Sequence, residues 1–158
     1  MKITLHTNRG DITFETMEAD APKTVANFAK LAKSGFYDGT KFHRVIAGFM
    51  IQGGDPKTKD DDLEDEWGTG DPGYKFDDEI HANNLNEIGT LSMANAGLHT
   101  NGSQFFINTA DNNFLDTKHT VFGRVIDGFD VIKDIERTPT GPSDHPLDPV
   151  VIERVNVS

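Results

Sequence analysis

Residues 42–55 read FHRVIAGFMIQGGD and set one cation, Arg44, in a run of apolar residues and glycines. A guanidinium stays charged at every relevant pH, donates through a rigid fork and accepts nothing. In apolar surroundings its field is poorly screened. Two further segments share this mixture of large apolar side chains with amide or cationic groups. They are LSMANAGLHTNGSQFFINT at 91–109 and NNFLDTKHTVFGRV at 112–125. Such a set joins apolar surface to side chains that donate or accept hydrogen bonds and to one fixed cation.

Other catalytic plans fit poorly. Ser92 and Ser103 lie in no G-x-S-x-G elbow. His6, His43, His81, His99, His119 and His145 are scattered, with no H-x-x-x-H to hold a metal. Gly53-Gly54 and Asn101-Gly102 lack the lysine and hydroxyl of a phosphate loop. The chain has no cysteine, which removes disulfides, thiolate catalysis and cysteine-bound zinc. Neither a metal nor a cofactor is expected.

At 158 residues the chain has the size of a single domain, here 1–158. A formal net charge of −11 disfavours nucleic acid and anionic lipid as partners. The acidic runs DDDLEDE (60–66) and DDE (77–79) read as solvated loops, since their spacing does not match a calcium-binding loop. No run approaches the roughly 18 apolar residues of a membrane helix. The N-terminus alternates polar and apolar residues without an apolar leader core, so the expected location is cytoplasmic.

The elements that must carry these segments are short. ITLHT (3–7) and DITFET (11–16) alternate, with Ile3, Leu5, Ile12 and Phe14 on one face and Asn8-Arg9-Gly10 as the turn. A helix follows, with Asp20 as expected N-cap, Pro22 near its start, Val25, Phe28, Ala29 and Ala32 at helical spacing, and Gly35 at its end. Strand-like runs recur in KFHRVI, FMIQG, GTLSMA, QFFINT and HTVFGRVI. A second helix fits 128–137 on Val131, Ile132 and Ile135, and VVIERVNV (150–157) closes the chain as a strand. Residues 55–75 lack periodicity and read as a long surface excursion. Seven or eight strands with two helices argue against parallel βαβ units and for an antiparallel barrel or sandwich.

Three motifs carry a closer reading. FHR-x-I-x-GFM-x-QGGD, SMANAG-x-x-TNGSQFFI and FLD-x-KH-x-VFG-x-V, in this order, resemble the signature segments of the cyclophilins, a family of peptidyl-prolyl cis-trans isomerases. The similarity runs from the first strand to the last. It implies a mainly β fold: an eight-stranded antiparallel closed β-barrel capped by two α-helices, with the site on its outer face. Three features depart from the pattern: Phe114 stands where many members carry Trp, Ala47 and Leu98 replace prolines, and the acidic stretch 56–66 is longer than in compact members. They bear on inhibitor affinity and substrate preference rather than on fold.

The resemblance also assigns roles. Arg44 is the electrostatic catalyst. Phe49, Met50, Phe106 and Leu115 form the pocket for a proline ring, bordered by His119 and walled by Phe114. Gln52 and Asn95 bond the substrate backbone, while Ala94, Ala96 and Gln104 line the groove. Taken singly, the apolar four read as core, Arg44 as a surface ion-pair partner and Gln104 as a loop brace. His43 reads as structural, His99 as an exposed loop residue, and Ser92 and Thr109 as strand positions. The expected partners are proline-containing peptides and unfolded chains, met by a monomer, with weak binding of cyclosporin-type ligands. The rival functions are a proline-peptide binding module and a chaperone with little turnover.

Overall fold

The N-terminal alternation becomes a hairpin in the computed structural model, which describes residues 1–158. β1 (Lys2–Thr7) pairs antiparallel with β2 (Gly10–Thr16). Ile3, Leu5, Ile12 and Phe14 are fully buried on the inner face. Thr7 Oγ1 braces the turn, donating to the Gly10 carbonyl and accepting from Arg9 N–H.

α1 (Pro22–Lys33) buries Val25, Phe28, Ala29 and Ala32, and Pro22 occupies its first turn. The expected cap is corrected: Ala21, not Asp20, is the cap residue, and it offers no side-chain acceptor. Asp20 sits one residue too early and instead accepts from Asn83 Nδ2. The free N–H groups of Lys23 and Thr24 donate to the Glu79 carboxylate, at 3.2 and 2.6 Å. A negative group from far along the chain thus does what a local cap does elsewhere.

β3 (Arg44–Ile46), β4 (Met50–Gly53), β5 (Thr90–Met93), β6 (Phe105–Asn108), β7 (Val121–Asp127) and β8 (Ile152–Val157) complete the sheet. The spatial order is β3-β4-β6-β5-β7-β2-β1-β8, and every pairing is antiparallel. The sheet curls into a half-barrel. A closed ladder was the expectation, but β3 and β8 end the order without pairing along their lengths. Their approaches touch instead: Gly39 N–H donates to Ile152 O, Ile152 N–H to Thr40 O, and Phe42 N–H to Val150 O. Carried on from the Lys41–Val151 bridge, the register would set Pro149 against His43, just before β3, and Pro146 against Ile46 within it. Proline has no N–H to give a ladder, so the seam stops there.

α2 (Phe129–Glu136) packs Ile132 and Ile135 into the core, with Val131 half-buried beside them. The core is rich in aromatic rings: Phe28 stacks on Tyr37 at 4.7 Å and meets Phe14 and Phe105 edge-on. The fully buried Tyr37 hydroxyl donates to Ser103 O, and burial holds its pKa well above the ordinary value. Residues 55–75 are more ordered than their sequence implies. They form two 3-10 turns, Pro56–Lys59 and Asp61–Glu66, folded around the buried Asp55. No helix is long and apolar enough to cross a membrane.

Candidate active site

Strand periodicity places the candidate residues. Val45, Ile51, Ile107 and Leu91 stand opposite one another across β3, β4, β6 and β5, and all four are buried in the core. The next row in register is Arg44, Gln52, Phe106 and Ser92, turned to the other face. Directly opposed side chains on one face lie within about 5 Å of each other at Cβ. One residue of register therefore separates a core row from a row that joins a guanidinium, a carboxamide and an aromatic ring.

Around that row lies a cleft of about 170 Å³. Phe49, Met50, Ala94, Phe106 and Leu115 form its apolar lining, while Arg44, Gln52, Asn95 and His119 bring polar groups to it. Met50 and Phe106 are nearly closed to solvent, at 1 % and 4 % exposure, so they make its floor. A second cleft of about 360 Å³ shares Gln52, Ala94 and Asn95, and adds Ala96 and Gln104. Phe114 lines neither of the two; it is 69 % exposed and stacks on Phe49 at 6.0 Å between centroids. The twelve candidates are thus brought to one face, eleven in two adjoining clefts and Phe114 at the rim.

Arg44 is half-buried and has no ion-pair partner; the paired arginines are Arg9 and Arg124. Its Nη1 donates to Gln52 Oε1 at 3.2 Å. Gln52 Nε2 donates to Gln104 Oε1 at 3.0 Å, and Gln104 Nε2 donates to the carbonyls of Gly68 and Gly70. The Asn95 carboxamide is used within the protein, donating across to Lys118 O and accepting from Gly97 N–H in its own loop. Its main-chain N–H and C=O have no backbone partner. His119 Nδ1 carries its proton, since it donates to Met93 O at 2.8 Å, and the ring meets Phe106 edge-on.

The apolar wall is held from behind. Asn112 Nδ2 and Thr109 N–H both donate to Phe49 O. Glu136, the last residue of α2, accepts from Gly48 N–H in the turn before Phe49. Behind Leu115, Asp116 accepts from Asn86 N–H, Asn86 Nδ2 and Asn113 Nδ2. Desolvation works to raise the Asp116 pKa, but these bonds outweigh it and hold the carboxyl below its ordinary value.

Sequence reasoning missed several contributors. Thr69, Asp71, Lys75 and Thr100 line the wider cleft. Asp55 organises the 68–70 segment, and Asn86, Asn108 and Asn112 support the pocket from below. One available signal was the Gly-Thr-Gly at 68–70 inside a charged excursion. Such glycines mark a close backbone approach, and a Cβ at Gly70 would stand 1.9 Å from Asp55 Oδ1.

Comparison with other proteins agrees with this architecture. The family described as "Cyclophilin type peptidyl-prolyl cis-trans isomerase/CLD" matches residues 2–157. The chain is 50 % identical to the peptidyl-prolyl cis-trans isomerase CYP18-1 of Arabidopsis thaliana over 158 aligned residues, covering 99 % of this chain and 96 % of that protein. Its fold is similar to a cyclophilin-type isomerase of Cryptosporidium parvum solved in the presence of the dipeptide Ala-Pro. The TM-score is 0.91 at 37 % identity, over 100 % of this chain and 99 % of the other.

Proposed function

The chain belongs to the cyclophilin-type peptidyl-prolyl cis-trans isomerases, and from that membership we propose that Arg44 is the group that lowers its barrier to X–Pro rotation. The amide's partial double bond sets that barrier at about 18–20 kcal/mol, and uncatalysed turnover takes tens to hundreds of seconds. Rotation neither makes nor breaks a bond to carbon and moves no proton, so a nucleophile and a base are superfluous.

As the C–N bond twists, amide resonance is lost and the prolyl nitrogen gains a lone pair. A guanidinium N–H aimed at that nitrogen binds the twisted state and not the planar one, which is differential binding of the transition state. Met50 and Phe106 hold the proline ring from below, with Phe49, Leu115 and His119 around it. With the ring held, the preceding carbonyl is the part that swings. Gln52 and the Asn95 main chain bond the flanking peptide, and Ala94, Ala96 and Gln104 line its path. Substrates are proline-containing segments of unfolded or flexible chains, and the role is assistance to folding in the cytoplasm. The observation that carries this reading is a half-buried arginine with no carboxylate partner at the edge of an apolar cleft.

The test is cis–trans exchange of a short X–Pro peptide by NMR, with wild type beside Arg44→Ala. A loss near a thousandfold is expected, since roughly 4 kcal/mol of barrier lowering corresponds to that factor. Retained acceleration in Arg44→Ala would refute the arginine mechanism. Peptide binding without acceleration by wild type would leave a binding module in its place.

Cyclosporin-type ligands bind weakly in this proposal, because Phe114 offers no indole N–H donor. Calorimetric titration is expected to give tighter binding for Phe114→Trp. Tight wild-type binding with no gain on that change rejects the explanation.

A further inference from the structure

We infer that Asp55 is a positioning residue for the isomerase reaction, fixing the orientation of Arg44 through the 68–70 peptides and two glutamines. The inference rests on the reading of Arg44 given above.

The hydrogen bonds form one directional chain with a fixed polarity. Asp55 is fully buried and has no cationic partner. Its Oδ2 accepts from Gly68 N–H at 2.5 Å and from Gly70 N–H at 3.1 Å, and its Oδ1 accepts from Lys57 N–H at 2.8 Å. A buried carboxylate held only by backbone N–H groups must keep them, because an unsatisfied buried charge is expensive. With their N–H groups directed to Asp55, residues 68 and 70 present their carbonyls to Gln104 Nε2, at 2.9 and 3.0 Å. Both Nε2 hydrogens of Gln104 are then used, so its Oε1 must face Gln52. Gln52 Nε2 answers that oxygen, which leaves Gln52 Oε1 for Arg44.

The two ends of the chain explain why it cannot run backwards. Asp55 can only accept and Arg44 can only donate. A flipped Gln52 would set its NH₂ against the guanidinium, and a flipped Gln104 would set an oxygen against two carbonyls. The carboxylate therefore selects one amide orientation at each glutamine and one position for the arginine fork. Gly70 makes the close approach possible, since any side chain there would strike the carboxylate. The segment that closes this circuit is the acidic excursion, whose own braces include Lys57 Nζ bonds to Glu66 and Thr69.

The test separates turnover from binding and from folding. Asp55→Asn keeps the size but turns an NH₂ towards a backbone N–H. It is expected to lower kcat about tenfold with peptide affinity within about twofold, since small misplacements of a catalytic group act on turnover. The side-chain amide resonances of Gln52 and Gln104 are expected to shift, while barrel resonances stay in place. Combined with Gln104→Ala, it should reduce kcat no further than the worse single change, because both break one chain. Wild-type kcat in a folded Asp55→Asn, or additive losses in the double variant, overturns the inference. Should Asp55→Asn fail to fold, Gly70→Ala decides, because it displaces the carboxylate while leaving Gln104, Gln52 and Arg44 chemically unaltered; unchanged kcat in it counts against Asp55. Arg44→Ala is measured alongside. If it keeps wild-type turnover, the arginine reading falls and this inference falls with it. If it loses turnover while Asp55→Asn does not, only the inference falls.

Discussion

Two amide networks meet the proline cleft from opposite sides, and they differ in how much water each can reach. On one side, Gln52 and Gln104 are half-exposed and link Arg44 to the 68–70 carbonyls. On the other, Asn86, Asn108 and Asn112 are buried beneath Phe49 and Leu115. Asn112 donates to Phe49 O and Asn108 Oδ1; Asn108 donates to Asn86 Oδ1 and Thr90 Oγ1; Ser92 Oγ donates to Asn86 Oδ1 at 2.6 Å. Water can replace a lost partner in the first network but not in the second. An unpaired buried polar group costs roughly 1–3 kcal/mol. The buried amides should therefore register in stability, and the half-exposed ones in the orientation of what they touch.

The largest effect that would break this contrast is in the asparagine cluster. Asn108→Ala leaves one Asn112 hydrogen and the Thr90 oxygen without their partner and opens a small void in β6. A loss of about 3 kcal/mol in unfolding free energy is expected by urea titration. Activity per folded molecule should stay within about threefold, because no cleft-lining group is removed. The matched change across the cleft, Gln104→Ala, should cost under about 1 kcal/mol of stability and yet lower turnover about tenfold. If Asn108→Ala instead cuts turnover more than stability, the buried cluster is setting the position of Phe49, and the division of labour fails.

How much of this could be read from the chain follows the same line. Strand alternation was legible because it is local: Ile3, Leu5, Ile12 and Phe14 point inwards as their spacing requires. The twelve candidate residues were legible only through the three motifs taken in order. Alternation alone could not say that the Arg44 row faces outwards and the Val45 row inwards. What escaped were partnerships between distant loops. Glu79 caps α1 from 55 positions away from Thr24, a choice no local rule weighs against Asp20. Asp55 reads as the end of a motif until the chain returns at 68–70. Asn108 and Asn112 lie beside the quoted motifs and Asn86 lies outside them, and their mutual bonds depend on β5, β6 and the 112–116 turn packing together. The closed ladder was expected from the family pattern, and the prolines near β8 show why the seam is shorter.

His43 gives a smaller effect that sharpens the comparison, since it lies on the relay side. It is 3 % exposed, beside Arg44 in sequence, and its Nε2 would stand 3.8 Å from a Cβ at Gly68. Burial lowers its pKa from 6.5 to about 4, outweighing the nearby Asp55 carboxylate, with His145 and Arg44 also opposing its charge. The folded state thus prefers the neutral ring. Between about pH 6.5 and 4 the unfolded chain binds the extra proton, so stability is complete above that window and falls as pH drops through it. Between pH 7.5 and pH 5 this one group should remove roughly 2 kcal/mol. The two carboxyls held below their ordinary values of 4.5 and 3.8, Glu18 by the N-terminal amine and Asp116 by its amide donors, act at lower pH. Urea titrations at the two pH values should therefore show the loss in wild type and not in His43→Leu. A loss that persists in His43→Leu would assign the acid sensitivity elsewhere. A loss confined to wild type would assign the acid sensitivity of the domain to the buried His43 ring, on the side of the cleft that carries the Asp55 relay and away from the asparagine cluster.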